Sequence, residues 1–186
     1  GQALGGNRVV LHTDGGVPRL LVDDPARGLE VELSETGAGF AQILPIVVQA
    51  FAQRSGLLKS TIGIVEQPEL HLHPAAHGAV ADLFVDNVAA DPKGTVYVCE
   101  THSEQFVTRL RRRVAEGVVP PESVLIISVG HQAEDQGDIE PIRAISLDRY
   151  GNPDAWPVGV FDEALTDLIS LKEAGQLLDA QQANVE

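Results

Sequence analysis

Thr61-Ile62-Gly63-Ile64-Val65-Glu66-Gln67-Pro68-Glu69-Leu70-His71-Leu72-His73-Pro74 is the stretch on which the fold turns. Its first five residues form a short, continuous apolar run, the pattern of a strand buried on both faces of a parallel sheet. The run ends in carboxylates and imidazoles. In open α/β sheets ligands bind beyond the carboxyl ends of the strands, so Glu66 stands where a carboxylate can hold a metal or orient a water. An acidic loop after a core strand is the plainer alternative. The pattern then recurs, because the apolar residues 95–99 run directly into Glu100-Thr101-His102-Ser103.

Working outward, residues 74–89 read as a helix with Ala75, Ala79, Leu83 and Val88 on one side. Residues 103–116 read as another, closed by Gly117, with Arg109, Arg111, Arg112 and Arg113 toward the end where the helix dipole favours cations. A third apolar run, 124–129, is expected to join the other two. Strand, helix, strand, helix, strand implies an α/β fold with a parallel sheet and right-handed crossovers. Residues 139–147 are expected as an edge strand, and 161–178 as an amphipathic helix.

Upstream, the short runs 8–13, 19–22 and 29–33 flank an Asp14-Gly15-Gly16 turn, which predicts an antiparallel β meander. The loop Ser34-Glu35-Thr36-Gly37-Ala38-Gly39 opens into a helix over 40–54, where Phe40, Ile43, Leu44, Val47, Val48 and Phe51 keep helical spacing. Pro45 inside that pattern is expected to kink the helix or mark a second start. Three segments result: a meander at 1–33, an α/β part at 34–147 and a cap at 148–186.

Composition narrows the function classes. The 186 residues carry 13 Lys and Arg against 27 Asp and Glu, a formal charge of −14, which disfavours a surface built to wrap DNA or an anionic membrane. One cysteine, Cys99, cannot form an internal disulfide, and no apolar run is long enough to span a bilayer, so the cytoplasm is the expected compartment. The chain contains no methionine and starts at Gly1.

The run Glu66-Gln67-Pro68-Glu69-Leu70-His71-Leu72-His73-Pro74, with Glu100–Ser103 after it and Thr36–Gln42 before it, resembles the C-terminal half of an ABC-like AAA-type ATPase. The group it is most similar to is the overcoming-lysogenization-defect kind, related to SMC and ABC heads. The resemblance implies a P-loop-NTPase-type parallel-sheet core half that binds ATP and Mg²⁺ and acts by nucleotide-dependent dimerisation. Glu66 then falls in the Walker B place of the Mg²⁺-organising Asp, and Gln67 where most ABC ATPases carry the catalytic Glu. Residues 70–74, with His71 and His73, match the D-loop, and His102 the switch histidine that senses the γ-phosphate. Gly37, Ala38, Gly39 and Gln42 resemble the signature loop that caps the nucleotide of the opposite protomer. Residues 147–163, with Leu147-Asp148-Arg149-Tyr150-Gly151-Asn152 and Trp156-Pro157, are similar to a C-terminal domain of unknown function attached to a subset of these ATPases. Implied partners are a second copy or a P-loop-bearing N-terminal half, with a nuclease or nucleic acid beyond that and no membrane. Phage defence or nucleic-acid processing is the implied setting.

A glycine-rich loop opening a helix suits phosphate on physical grounds too, because unpaired N–H groups and the positive dipole end point outward. An ordinary turn before a helix is the plainer reading of the same glycines. Two departures stand out. No Gly-x-x-x-x-Gly-Lys-[Ser/Thr] occurs, and Gly56-Leu57-Leu58-Lys59-Ser60-Thr61 lacks the second glycine, so the chain is expected to bind ATP poorly alone. With the missing methionine, this favours a natural beginning upstream of Gly1. Gln67 orients water but cannot accept its proton, so either hydrolysis is slow or Glu69 or Glu100 serves as base.

Two rival readings come from the same residues. His71-x-His73 at strand-like spacing, with His102, could form the zinc shell of a metal-dependent hydrolase. Alternatively the chain is a non-catalytic interaction module, with Arg109 and Arg111–Arg113 as its basic patch.

Overall fold

The computed structural model describes residues 8–58, 61–91, 94–132, 139–157, 160–161 and 163–183. Lys59, most of the acidic loop expected at 130–138 and the end of the chain after 183 lie outside them. The chain divides into two compact units, one comprising residues up to 124 with 147–152, the other 125–146 with 153–186.

The first unit opens with the predicted meander. Strands β1 (Arg8–Asp14), β2 (Val17–Asp24) and β3 (Leu29–Glu32) pair antiparallel in chain order. The turn between β1 and β2 needs positive φ at both central residues, and Gly15 and Gly16 supply it at 56° and 82°. Between β2 and β3, Asp24 Oδ1 accepts the N–H groups of Ala26 and Arg27 and fixes the bend.

Helix α1 (Ala38–Arg54) follows and runs through Pro45 as one element, so Pro45 does not mark a second start. Burial of Ile43, Leu44 and Val47 outweighs the lost N–H, and Pro45 sits on the exposed side, where water can reach the freed carbonyl. Strand β4 (Thr61–Glu66) then leads through a turn into α2 (Pro74–Ala90), strand β5 (Thr95–Glu100) and α3 (Glu104–Ala115). Strands β4 and β5 pair parallel from Thr61↔Thr95 to Glu66↔Glu100.

One face of this ribbon carries the core. Ile43, Val47, Val80, Ala81, Phe84 and Phe106 form a buried cluster against which Val65, Tyr97 and Cys99 pack. Asn87 ties the layers by donating to the Ala50 carbonyl at 2.9 Å and to the Tyr97 hydroxyl at 2.8 Å, and that hydroxyl donates to Gln53. The Tyr97 ring lies where a side chain on Gly63 would stand, so β4 needs glycine there. The opposite face corrects the expectation of strands buried on both sides. Ile62, Ile64, Val96 and Val98 are 54–74% exposed.

The expected three-stranded parallel sheet is corrected as well. It has two strands, and β6 (Leu125–Gln132) pairs antiparallel with β7 (Ile139–Ser146) in the second unit. A short link between two strands closes an antiparallel hairpin, whereas a parallel partner requires a crossover of a dozen residues or more. In the same unit the Ser146 N–H donates to Asp154 at 3.1 Å and Trp156 donates to the Val160 carbonyl at 2.7 Å, with Phe161 alongside. Helix α4 (Glu163–Ala183) is exposed throughout 166–176, so its apolar side chains Leu168, Ile169 and Leu171 face solvent. Among the described residues no helix is long and apolar enough to cross a membrane.

Candidate functional site at the carboxyl ends of β4 and β5

The two parallel strands end level. Glu66 and Glu100 are register partners, and the Gln67 N–H donates to the Glu100 carbonyl at 2.9 Å, extending the ladder one step. Alternation places Gly63, Val65, Tyr97 and Cys99 toward the helices, so Glu66 and Glu100 leave on the bare apolar face and are exposed. His102, beyond β5, has Nε2 3.8 Å from Glu100 Oε1 and a side chain 75% exposed.

Between β4 and α2 the chain makes a compact turn, not a strand. Gln67 and His71 adopt left-handed backbone conformations, with φ of 44° and 61°. For residues other than glycine these cost about 1–3 kcal/mol each and persist only where the surroundings enforce them. The enforcement is visible. Pro68 is fully buried, the Leu70 N–H donates to the Gln67 carbonyl at 2.9 Å and the Leu72 N–H to the Glu69 carbonyl at 3.0 Å. The turn borders a shallow cavity of about 310 Å³ that Gln67, Glu69, His71, His77 and His102 help to line.

Glu69 is 7% exposed. Its Oε1 accepts the Thr101 hydroxyl at 2.7 Å and the His102 backbone N–H at 2.9 Å, while Oε2 is buried with no partner. His77, which belongs to none of the motifs above, bridges the same two segments. Its Nε2 lies 3.3 Å from the Leu72 carbonyl and its Nδ1 2.8 Å from the Ser103 hydroxyl, which also reaches Gln105 Oε1 at 3.2 Å. The signal was in the sequence, since His77 lies one helical turn after His73 on α2. Ser103 in turn caps α3 by accepting the Phe106 N–H at 3.1 Å.

The glycine loop reaches this turn from the other side. Gly37 is the N-cap of α1 and makes no side-chain cap, Gly37 and Ala38 are exposed, and Gln42 is half-buried. Gly39 is buried, and a Cβ there would meet the His71 carbonyl and the Leu72 side chain. The structure therefore joins Gly39 to the 67–73 turn and the turn to His102.

The histidines do not form the zinc shell considered above. His71 lies on the turn, and His73 is the N-cap of α2, its Nδ1 accepting the Ala75 N–H at 3.2 Å with Pro74 as first helical residue. Among the described residues no three His, Cys, Asp or Glu side chains are grouped to hold a metal ion. Two exposed carboxylates at one strand end suit Mg²⁺, which keeps waters and takes phosphate oxygens for the rest of its shell.

The arginines of α3 are engaged within the chain. Asp82 is buried and accepts from Arg109 at 2.5 Å and Arg113 at 2.7 Å, Glu116 receives Arg112 and Arg113, and Arg111 donates to the Gly151 carbonyl. Arg109 reaches Asp82 across Gly78, where a side chain would press on its guanidinium. A free basic patch for an acidic partner is thereby removed. Burial and the nearby charge of Glu69 push the Cys99 thiol up to about 11, so it is inert at neutral pH.

Comparison with known proteins adds two likenesses. The family described as a protein of unknown function (DUF3696) matches residues 119–171. No curated protein matches. A solved structure from structural biochemistry of ATP-driven dimerization and DNA stimulated activation of SMC ATPases matches with a TM-score of 0.51 at 14% identity. The match covers 92% of this chain and 84% of that one, a likeness of fold to an SMC ATPase.

Proposed function

We propose that this chain is the part of an ABC-like ATPase that contributes the Walker B carboxylate, D-loop turn, switch histidine and signature loop to a shared nucleotide site. The observation that carries the reading is the level ending of β4 and β5 at Glu66 and Glu100, with the strained Gln67 and exposed His102 beside them. The SMC-like fold supports it. Within that class the motif wording favours the overcoming-lysogenization-defect group, and phage defence or nucleic-acid processing as the setting.

The bare face of β4 and β5 supports a missing structural neighbour. Burying Ile62, Ile64, Val96 and Val98 is worth about 1.5–3 kcal/mol for each side chain fully removed from water. We assign that face to a P-loop-bearing half, since this chain has no P-loop of its own.

Mg-ATP bound in such a site supplies the phosphoryl group and the divalent charge that neutralises it. Glu66 would hold the cation directly or through water. Gln67 would orient a water with its amide oxygen, and its neutral side chain would leave the proton to another group. Glu100 is the solvent-facing carboxylate beside it, 59% exposed at the side chain. His102 would donate from its ring to a terminal phosphate bound there. The uncapped N–H groups that start α1 at Gly37, with Gln42 one turn in, face the nucleotide of an opposite protomer, and the turn carrying His71 and His73 meets that protomer's counterpart.

Analytical ultracentrifugation of the chain together with the P-loop-bearing half tests the reading. Mg-ATP is expected to convert the assembly to a dimer of assemblies, and Gly37→Glu to abolish the shift. An assembly that sediments identically with and without nucleotide contradicts it.

A further inference from the structure

We infer that Glu69 is a positioning residue that fixes the His102 segment to the 67–73 turn, and is not the base that deprotonates water. The inference rests on the ATPase reading for its kinetic consequence, and on geometry alone for its structural one. A general base must reach the water it deprotonates. Glu69 does not: Oε1 is filled by two donors, and Oε2 is buried away from solvent without any partner. Glu66 and Glu100 are the carboxylates at this strand end that reach solvent.

What Glu69 does instead follows from its partners. The Thr101 hydroxyl accepts the Ser103 N–H at 3.1 Å and so aims its own proton at Glu69. The His102 N–H is held directly. One carboxylate oxygen thus holds the His102 main-chain N–H directly and the Ser103 N–H through the Thr101 hydroxyl, while the His102 side chain is 75% exposed. His77 makes a second, parallel tie between Leu72 and Ser103. Gly39 packs on the His71 carbonyl, so the α1 N-terminus, the turn and the His102 segment form one contiguous set of contacts.

Glutamine separates the two roles, because its amide oxygen still accepts both hydrogen bonds while losing all basicity. Hydrogen exchange on the 186-residue chain reads the clasp without any nucleotide. Glu69→Ala is expected to raise exchange of the His102 amide at least tenfold while the Val98 amide in β5 stays unchanged, and Glu69→Gln to restore protection within threefold. Thr101→Val, which removes one donor and leaves the carboxylate, is expected to give an intermediate value and stands in if Glu69→Ala fails to fold. Unaltered His102 exchange in both variants overturns the clasp. In the ATPase assembly, Glu69→Gln is expected to keep kcat within threefold with KM unchanged, and Glu69→Ala to lower kcat at least tenfold. A hundredfold loss of kcat in Glu69→Gln overturns the inference in favour of Glu69 as base. If the wild-type assembly hydrolyses no ATP while the exchange pattern is as expected, the ATPase reading fails and the clasp stands.

Discussion

Gly39 at the start of α1 touches the backbone carbonyl of His71 so closely that no side chain fits between them. The nearby Gly37 has open space around it. Gly39→Ala is therefore expected to cost about 1–3 kcal/mol through overpacking, and Gly37→Ala under about 1 kcal/mol, the range of an N-cap change. Urea denaturation of the two variants checks this, and equal losses would contradict the contact.

Gln67 holds a left-handed backbone that glycine adopts freely. Gln67→Gly is expected to raise the unfolding free energy by about 1 kcal/mol while abolishing turnover in the ATPase assembly. A variant less stable than wild type would show that the Gln67 side chain, and not its backbone, anchors the turn.

Asp82 links α2 to α3. Burial raises its pKa, but the guanidinium groups of Arg113 and Arg109 outweigh burial and hold the carboxyl below its ordinary 3.8. A folded pKa below the unfolded one contributes stability that is fully present above about pH 3.8 and is lost as pH falls through the lower folded value. Asp82→Asn is expected to cost about 1.5–3 kcal/mol at pH 7, and the gap to wild type should close below pH 3.8. Urea midpoints measured from pH 7 down to pH 3 test both the size and the direction.

Cys99 should resist alkylation. With its thiol near 11, the thiolate fraction at pH 8 is roughly two-hundredfold below that of an ordinary cysteine at about 8.5. Iodoacetamide labelling followed by mass spectrometry is expected to be correspondingly slow in the folded chain and fast in urea. Rapid labelling of the folded chain would mean that the region beneath Glu69 opens readily.

The order of elements from β4 to α3 was legible because each signal is local: an apolar run, Pro74 at the first helical position, Ser103 as a cap. What surrounds β4 and β5 was not. A continuous run such as Ile62-Gly63-Ile64-Val65 reads the same whether this chain or another covers its second face, and here Ile62 and Ile64 are bare. The run at 124–129 likewise shows its apolar character and not its partner, so its pattern suits the parallel sheet although β7, close behind it, captures it. In the site, residue types were legible and exposure was not. Glu66, Glu69 and Glu100 are chemically alike in sequence, yet Glu69 is shielded and tied to His102 while the other two face solvent. His77 escaped notice because its partners are a carbonyl and a hydroxyl, neither of which announces itself in a motif.

The central claim, that these residues complete a nucleotide site whose P-loop lies elsewhere, is met most directly by isothermal titration with Mg-ATP. The 186-residue chain alone is expected to bind more weakly than about 1 mM, and its assembly with the P-loop-bearing half in the micromolar range, a gain of about 4 kcal/mol. Micromolar binding by the chain alone, or no gain on assembly, would contradict the account.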